Sequence, residues 1–277
     1  MQHNGIVDKM AGALVGFAVG DALGATVEFM TPEEIKAEYG VHRDIIGGGW
    51  LELEPGAVTD DTEMMLCVAR SLVECGGYNA RDMVGRVVEW YNTDPVDMGH
   101  TVRSGLHRYI RTRELDRPAS ENQAGNGALM RILPFAFLSC DTYDMLYHAH
   151  LTHNNKESDD ACIQYLRMVQ RVLHDWTKAG ILDHATEDDL AYNGKSGGYV
   201  VDTMNTVLHC FSTTDTFEGA LVKCVNLGGD ADTNAAILGG LAGAYYGYKA
   251  IPERWLQALD KEVHDEFDQL ARRFAAT

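Results

Sequence analysis

Gly228-Gly229-Asp230-Ala231-Asp232-Thr233-Asn234-Ala235-Ala236-Ile237-Leu238-Gly239-Gly240-Leu241-Ala242-Gly243 carries two signals in one stretch. From Ala235 onward it is an apolar run with small residues at helical spacing: Ala236, Gly239/Gly240, Gly243 and then Gly247. Glycine inside a helix costs about 1 kcal/mol relative to alanine, so a repeated glycine stripe implies a neighbouring helix at close range. Just ahead of that run, Asp230, Asp232 and Thr233 form an oxygen-rich cluster. The same pair of features recurs earlier. Gly12, Gly16 and Gly20 form a second stripe, and Thr59-Asp60-Asp61-Thr62-Glu63 precedes the apolar Met64-Met65-Leu66.

Working outward, the periodicity is helical nearly throughout. It predicts helices over roughly 6–24, 62–75, 80–93, 97–111, 126–139, 143–151, 157–178, 199–213, 216–226, 232–247 and 253–273. Alternating strand patterns are almost absent. Six prolines interrupt little, no Pro- or Ser-rich linker divides the chain, and no repeat at 30–45 residues suggests a solenoid. The expectation is an all-α protein, a single compact multi-helix domain over residues 1–277.

Forty-one acidic residues against 23 basic give a formal net charge of −18, which disfavours nucleic acid as a partner. Local basic groups and helix N-termini can still hold a small anion. The cysteines, Cys67, Cys75, Cys140, Cys162, Cys210 and Cys224, are scattered without a C-x-x-C pair, as in a reducing cytoplasm. The apolar run Met10–Gly20 has the length of a secretory core, but Asp21 follows it directly. Ala235–Tyr248 is too short to cross a bilayer. Both runs are read as buried helices, with no transmembrane segment.

Each oxygen cluster alone is explained well by helix capping, since Thr and Asp are preferred caps and acidic groups suit a helix N-terminus. Together they exceed that need. One cap uses one side-chain oxygen, whereas each cluster supplies two aspartates and a threonine. Crowded carboxylates repel unless a cation sits among them. Hard oxygen donors without His or Cys point to Mg²⁺ or Mn²⁺ and away from structural zinc, and four aspartates on facing helix ends suit two ions. EF-hand spacing is absent.

At these residues the sequence resembles the ADP-ribosylglycohydrolase family. The resemblance runs from Gly12 to about Trp255 and is carried by six motifs in the family's order. They are Gly20-Asp21-Ala22-Leu23-Gly24 with Glu28, Thr59-Asp60-Asp61-Thr62, Gly125-Asn126-Gly127-Ala128-Leu129-Met130-Arg131, Thr152-His153, Gly198-Tyr199-Val200-Val201-Asp202-Thr203, and Gly228-Gly229-Asp230-Ala231-Asp232-Thr233. Gly24–Met30 and Gly47-Gly48-Gly49-Trp50 look closest to the dinitrogenase-reductase-activating branch.

The resemblance implies an all-α fold with a dinuclear metal cleft holding two divalent cations, Mn²⁺ or Mg²⁺. It implies Thr59, Asp60, Asp61, Asp230, Asp232 and Thr233 as metal ligands. Asp60, Asp61, Asp97 and Glu28 are implied as catalytic acidic groups. Taken alone, Asp97 reads as an N-cap and Glu28 as a solvated helix-end residue. Gly125-Asn126-Gly127 before a helix would offer N–H groups to a pyrophosphate, although Gly-Asn-Gly is also a common turn. His153 would donate to a phosphate or ribose, and Tyr199 would stack on adenine or else be a plain core tyrosine. Asp202 would brace the site. The family usually has Asn or Gln where His100 stands, a change that adds a titratable group.

The implied reaction is metal-dependent hydrolysis of the N-glycosidic bond between ADP-ribose and a protein arginine. The implied substrate protein is ADP-ribosylated dinitrogenase reductase, with a PII regulatory protein as a further partner and a cytoplasmic monomer as the expected form. Three alternatives share parts of the pattern: an immunity or repair hydrolase reversing toxin modification, a non-catalytic ADP-ribose-binding protein, and a metal-free two-carboxylate glycosidase. The last leaves the duplicated clusters unexplained.

Overall fold

The glycine stripes meet each other. In the computed structural model, which describes residues 2–138 and 140–277 and side chains from residue 5, α1 (Gln2–Gly24) runs antiparallel to α12 (Ala231–Tyr246). A β-carbon on Gly12, Gly16, Gly20 or Gly24 would lie 2.2, 2.6, 2.0 and 2.4 Å from the carbonyl oxygens of Gly243, Gly239, Ala235 and Ala231. The two backbones therefore touch along four successive turns. The α12 face that does this is Ala231, Ala235, Gly239 and Gly243. Gly240, expected on the same stripe, faces the Tyr165 hydroxyl, and Gly247 ends the helix with φ +82°.

Around this pair the remaining helices are α2 (Pro32–Tyr39), α3 (Asp60–Cys75), α4 (Ala80–Tyr91), α5 (His100–Thr112), α6 (Thr142–Ala149), α7 (Lys156–Leu173), α8 (Lys178–Ile181), α9 (Glu187–Leu190), α10 (Val200–Ser212), α11 (Phe217–Val225), α13 (Glu253–Ala258) and α14 (Lys261–Phe274). Helices α3, α7, α10, α11 and α14 pack against the central pair, and one buried apolar cluster runs from Met10 to Phe274. The all-α expectation holds among the described residues. Among the described residues, the only extended pairings are isolated bridges, Gly48 with Leu53 and Gly125 with Tyr199. Gly5–Val27 is long and apolar enough to span a bilayer, a stretch longer than the one weighed from sequence, yet Met10–Val27 within it is buried inside the fold.

Several helix boundaries differ from the periodicity. The expected helix over 126–139 is instead two 3₁₀ turns, Leu129–Arg131 and Leu133–Phe137, and Ser139 lies outside the described residues. Pro134 lacks an N–H and disfavours helical geometry before it. In addition, the buried Arg131 guanidinium takes the Gly127 carbonyl that an α-helix would have used. The expected 253–273 helix breaks at Leu259, where Asp260 donates its N–H to Gly56 at 3.0 Å and caps α14 with its carboxylate. The expected 157–178 helix stops at Leu173. Helix α2 was not anticipated, although Thr31 and Glu34 form a capping box with Pro32 at the first position.

The close contact gives a prediction with an internal control. In Gly243→Ala the new β-carbon meets Gly12 O at 1.9 Å, so overpacking of about 1–3 kcal/mol exceeds the helix-propensity gain of about 1 kcal/mol. Gly85, exposed within α4, has nothing within 4 Å of its β-carbon position. Thermal melting should show Gly243→Ala destabilised and Gly85→Ala stabilised. A stabilised Gly243→Ala would contradict the backbone contact.

Candidate active site

Asp21 is the one charged group in the last three turns of α1, and it is fully buried. Its carboxylate accepts the backbone N–H groups of Thr59 (3.0 Å) and Thr62 (3.2 Å), together with both their hydroxyls. The unpaired donors of the first turn of α3 are thus satisfied from a different helix. Burial nevertheless pushes the Asp21 carboxyl up to about 6, against the opposing effect of those bonds.

The close approach of α1 and α12 sets the two oxygen clusters face to face. Carboxylate oxygens of Asp21, Asp61 and Asp232 lie within 4.8 Å of one another, and so do those of Glu28, Asp230 and Asp232. Asp232 belongs to both groups. Thr233 donates its hydroxyl to Asp61 Oδ2 at 3.0 Å, Asn126 donates to Asp230 Oδ2 at 2.6 Å, and the Gly99 N–H donates to Asp60 Oδ2 at 3.2 Å. Asp61 Oδ1 is buried with no hydrogen-bond partner.

Burial, followed by repulsion from neighbouring carboxylates, holds Asp60, Asp61 and Asp232 well above the ordinary carboxyl range. A partnerless buried oxygen inside a set of mutually repelling carboxylates fits a divalent cation. An all-oxygen donor set fits a hard ion.

Above the cluster opens a cleft of about 270 Å³. Glu28, Asp60, Asp97, Asp230, Asp232 and Thr233 line it, together with Gly125, Asn126, Gly127 and His153. Thr59 and Asp61 are buried and are not part of that lining. Thr59 does cap α3, accepting from Asp61 N–H at 3.4 Å, so capping and clustering coexist there. Asp230 and Asp97 cap nothing: Asp230 shows no side-chain cap, and α5 begins at His100.

Glu28 is buried, not solvated, and Trp50 donates its indole N–H to Glu28 Oε2 at 2.5 Å. Burial, with the charges of Asp230 and Asp97, pushes the Glu28 carboxyl up to about 8.

The Gly125–Gly127 loop departs from the expected anion cradle in one respect. The Asn126 N–H is committed to Gly198 O at 3.1 Å, and a 3₁₀ turn follows in place of a helix. The strand-like pairing continues as Val200 N–H to Ala124 O at 2.9 Å, which fixes Tyr199 beside Gly125. Tyr199 is 42% exposed, so it is not a core tyrosine. His153 is buried beneath the loop. A β-carbon on Gly127 would lie 2.8 Å from its ring, and Thr152 Oγ1 meets its Nδ1 at 2.8 Å. Burial, then Arg131 and Arg117, hold its pKa well below the usual value, leaving a neutral imidazole.

A family model described as ADP-ribosylglycohydrolase matches residues 2–277. The chain belongs to the ADP-ribosylglycohydrolase family. It is 46% identical to an ADP-ribosyl-[dinitrogen reductase] glycohydrolase of Rhodospirillum rubrum, over 94% of this chain and 92% of that one. It is 32% identical to the ADP-ribosylarginine hydrolase Tri1 of Serratia proteamaculans, over 94% of this chain and 76% of that one. A solved structure of an ADP-ribosylglycohydrolase-related protein complex superposes with a TM-score of 0.84 at 33% identity, covering 99% of each chain.

Within this family fold, three side chains at the site escaped assignment from sequence. Asp21 stands in the first family motif and as a lone charge after an apolar run, but neither signal gives it a role at the site. Trp50 enters the sequence reading only as the end of the Gly47–Trp50 stretch, without a partner. Arg131, fully buried, donates to Gly127 O, to Thr152 Oγ1 at 2.8 Å and to His148 Nε2 at 3.1 Å, tying the Gly125–Gly127 loop to the His153 segment. It closes the Gly125–Arg131 motif in the sequence, which gives it no role by itself.

The carboxylates make metal-free stability depend on pH with a definite sign. Folding raises their pKa values, so the folded protein binds protons that the unfolded chain has released, and stability falls as pH rises through the folded values. With Glu28 at about 8, the fall extends through the neutral range. The buried neutral His148 and His153, whose pKa values are lowered from 6.5, act only at lower pH. In EDTA the melting temperature should drop between about pH 6.5 and 8.5, and Mn²⁺ or Mg²⁺ should remove that slope. A flat profile in EDTA, or a slope insensitive to metal, would contradict the arrangement.

Proposed function

We propose that this protein hydrolyses the N-glycosidic bond between ADP-ribose and an arginine side chain of a protein, with two divalent cations as cofactor. The carrying observation is the pair of carboxylate groups that share Asp232 beneath a cleft bordered by Gly125-Asn126-Gly127 and His153. The residues that would hold the ions are Thr59, Asp60, Asp61, Asp230, Asp232 and Thr233, to which the geometry adds Asp21 and Glu28 as neighbours. Bound there, Mn²⁺ or Mg²⁺ would neutralise the cluster and supply Lewis acidity toward ribose hydroxyls and water.

The protein's own groups orient the substrate and handle protons. Breaking the bond passes through an oxocarbenium-like state, which the negative cleft favours electrostatically. Glu28 and Asp97 are the lining carboxyls outside the implied ligand set. In this reading they take a proton from water or give one to the departing guanidine, which their position in the cleft lining supports. Neutral His153 presents a hydrogen bond without a charge, and Tyr199 offers an exposed ring beside the loop for adenine.

The 46% identity with the Rhodospirillum rubrum enzyme supports ADP-ribosylated dinitrogenase reductase as the substrate protein. Reversal of toxin modification keeps the same chemistry and has the Tri1 likeness in its favour. Six free cysteines, four of them buried, suit a reducing cytoplasm.

Hydrolysis should be compared on matched proteins carrying ADP-ribose on arginine and on serine, in EDTA and with Mn²⁺. Release from arginine only with metal, and its loss in a folded Asp232→Ala variant, is expected. Full activity in EDTA, or preference for serine, would overturn the assignment.

Tyr199 gives a separate test. Tyr199→Ala should weaken ADP-ribose binding by about 1–3 kcal/mol, the range for base stacking, while Tyr199→Phe keeps most of the affinity. Because the ring is exposed, the alanine variant should melt close to the parent. Unchanged affinity in calorimetric titration would remove Tyr199 from the site.

A further inference from the structure

The chain carries a formal charge of −18, yet one surface groove is strongly basic. It has a volume of about 460 Å³ and is lined by His100, Arg103, His107, Arg108, Arg111 and Arg117, with Ser104 between them. His100, Arg103, His107 and Arg111 recur at three- and four-residue spacing along α5, so they share one helix face. All four are exposed.

Two of the arginines are fixed. Arg117 donates to the carbonyls of Thr101 (3.2 Å) and Thr152 (2.9 Å) and to Ser104 Oγ (3.1 Å). Arg108 is held by the carboxylate and carbonyl of Glu114, both at 2.8 Å. Arg103 and Arg111 differ from these. Among the described residues, neither has a carboxylate within 4.0 Å, which is also true of Arg43, Arg81, Arg113, Arg167 and Arg273; what sets Arg103 and Arg111 apart is the groove they share with Arg108 and Arg117. Two arginines left unpaired in so acidic a chain are available to a partner.

The groove also touches the cleft. His100 lines both. From His100 to Arg111 the helix rises about 16 Å, which matches about five residues of extended chain.

We propose that this groove docks an acidic, extended segment of the substrate protein that flanks the modified arginine. The inference rests on the hydrolase reading above and deepens it. A strongly negative enzyme repels an acidic protein in general and admits it only where local charge is reversed. The groove supplies that reversal at the lip of the cleft, so approach and orientation are decided together. A polynucleotide does not suit it, because the basic strip is short and the surrounding field is negative.

The test uses three substrates and one exposed variant, Arg111→Glu, checked for folding by circular dichroism; Arg103 is left in place because its charge also acts on Asp97 in the cleft. Two peptides carry a single ADP-ribosylated arginine, flanked by glutamates in one and lysines in the other. The third substrate is free ADP-ribosylarginine. The parent should show the lower KM for the Glu-flanked peptide, and that KM should rise with NaCl. In that variant it should rise several-fold and lose most of its salt dependence, while the Lys-flanked peptide improves and ADP-ribosylarginine is unchanged.

Equal effects on both peptides would overturn the proposal. So would parallel loss on ADP-ribosylarginine, which would assign the groove to the ADP-ribose itself. Binding of the unmodified Glu-rich peptide, read by fluorescence anisotropy, keeps the proposal testable if no substrate is hydrolysed. That peptide should bind the parent more tightly than the variant. Tighter binding of a single-stranded oligonucleotide than of the peptide would also overturn it.

Discussion

Helices α1 and α12 lie so close that their backbones touch, and the site depends on that contact. Wherever α1 places Gly12, Gly16, Gly20 and Gly24, α12 presents a carbonyl at a distance that no β-carbon could occupy. The direct result is a register. Because the helices are antiparallel, the last turn of α1 meets the first turn of α12, and Asp21 reaches the neighbourhood of Asp232. The glycines belong to no cleft wall, yet they determine which carboxylates share it.

Asp21 extends the same constraint to a third helix. By accepting the first-turn donors of α3, it fixes the start of that helix against α1 and brings Asp61 into the cluster. The turn at Gly228 and Gly229 completes the enclosure. Both residues are left-handed, with φ near +68° and +69°, and a β-carbon on Gly228 would strike Met30 O at 2.1 Å. Reciprocal bonds between Phe29 and Gly229 and between Gly229 and Met30 then seat Glu28 over Asp230 and Asp232. The resulting pocket concentrates charge that water would otherwise separate, a cost that a bound cation offsets.

The two ends of the cleft differ in electrostatic character. Glu28 and Phe29 open toward a hollow that Glu34, Glu38 and Trp50 also border, while His100 opens toward arginines. The neutral His153 beneath the glycine loop avoids adding a further charge between them.

The sequence by itself determined the helical class, the two oxygen clusters and the motifs that carry the family, because periodicity, capping chemistry and residue order are local properties. It also identified the glycine stripes as contact surfaces. Only the tertiary structure decided which stripe residues touch, since Gly239 and Gly240 are indistinguishable in a periodic pattern but face different helices. It alone revealed Asp21 as the acceptor for α3, Trp50 as the partner of Glu28, and Arg131 as the tie beneath the loop. Each of these roles depends on a group 4 to 41 positions away in the chain. The 3₁₀ turns after Gly127 escaped the periodicity because a buried guanidinium claimed the carbonyl that an α-helix needed. Hydrogen bonds to distant partners leave no period in a sequence, and so they become visible only once the chain is folded.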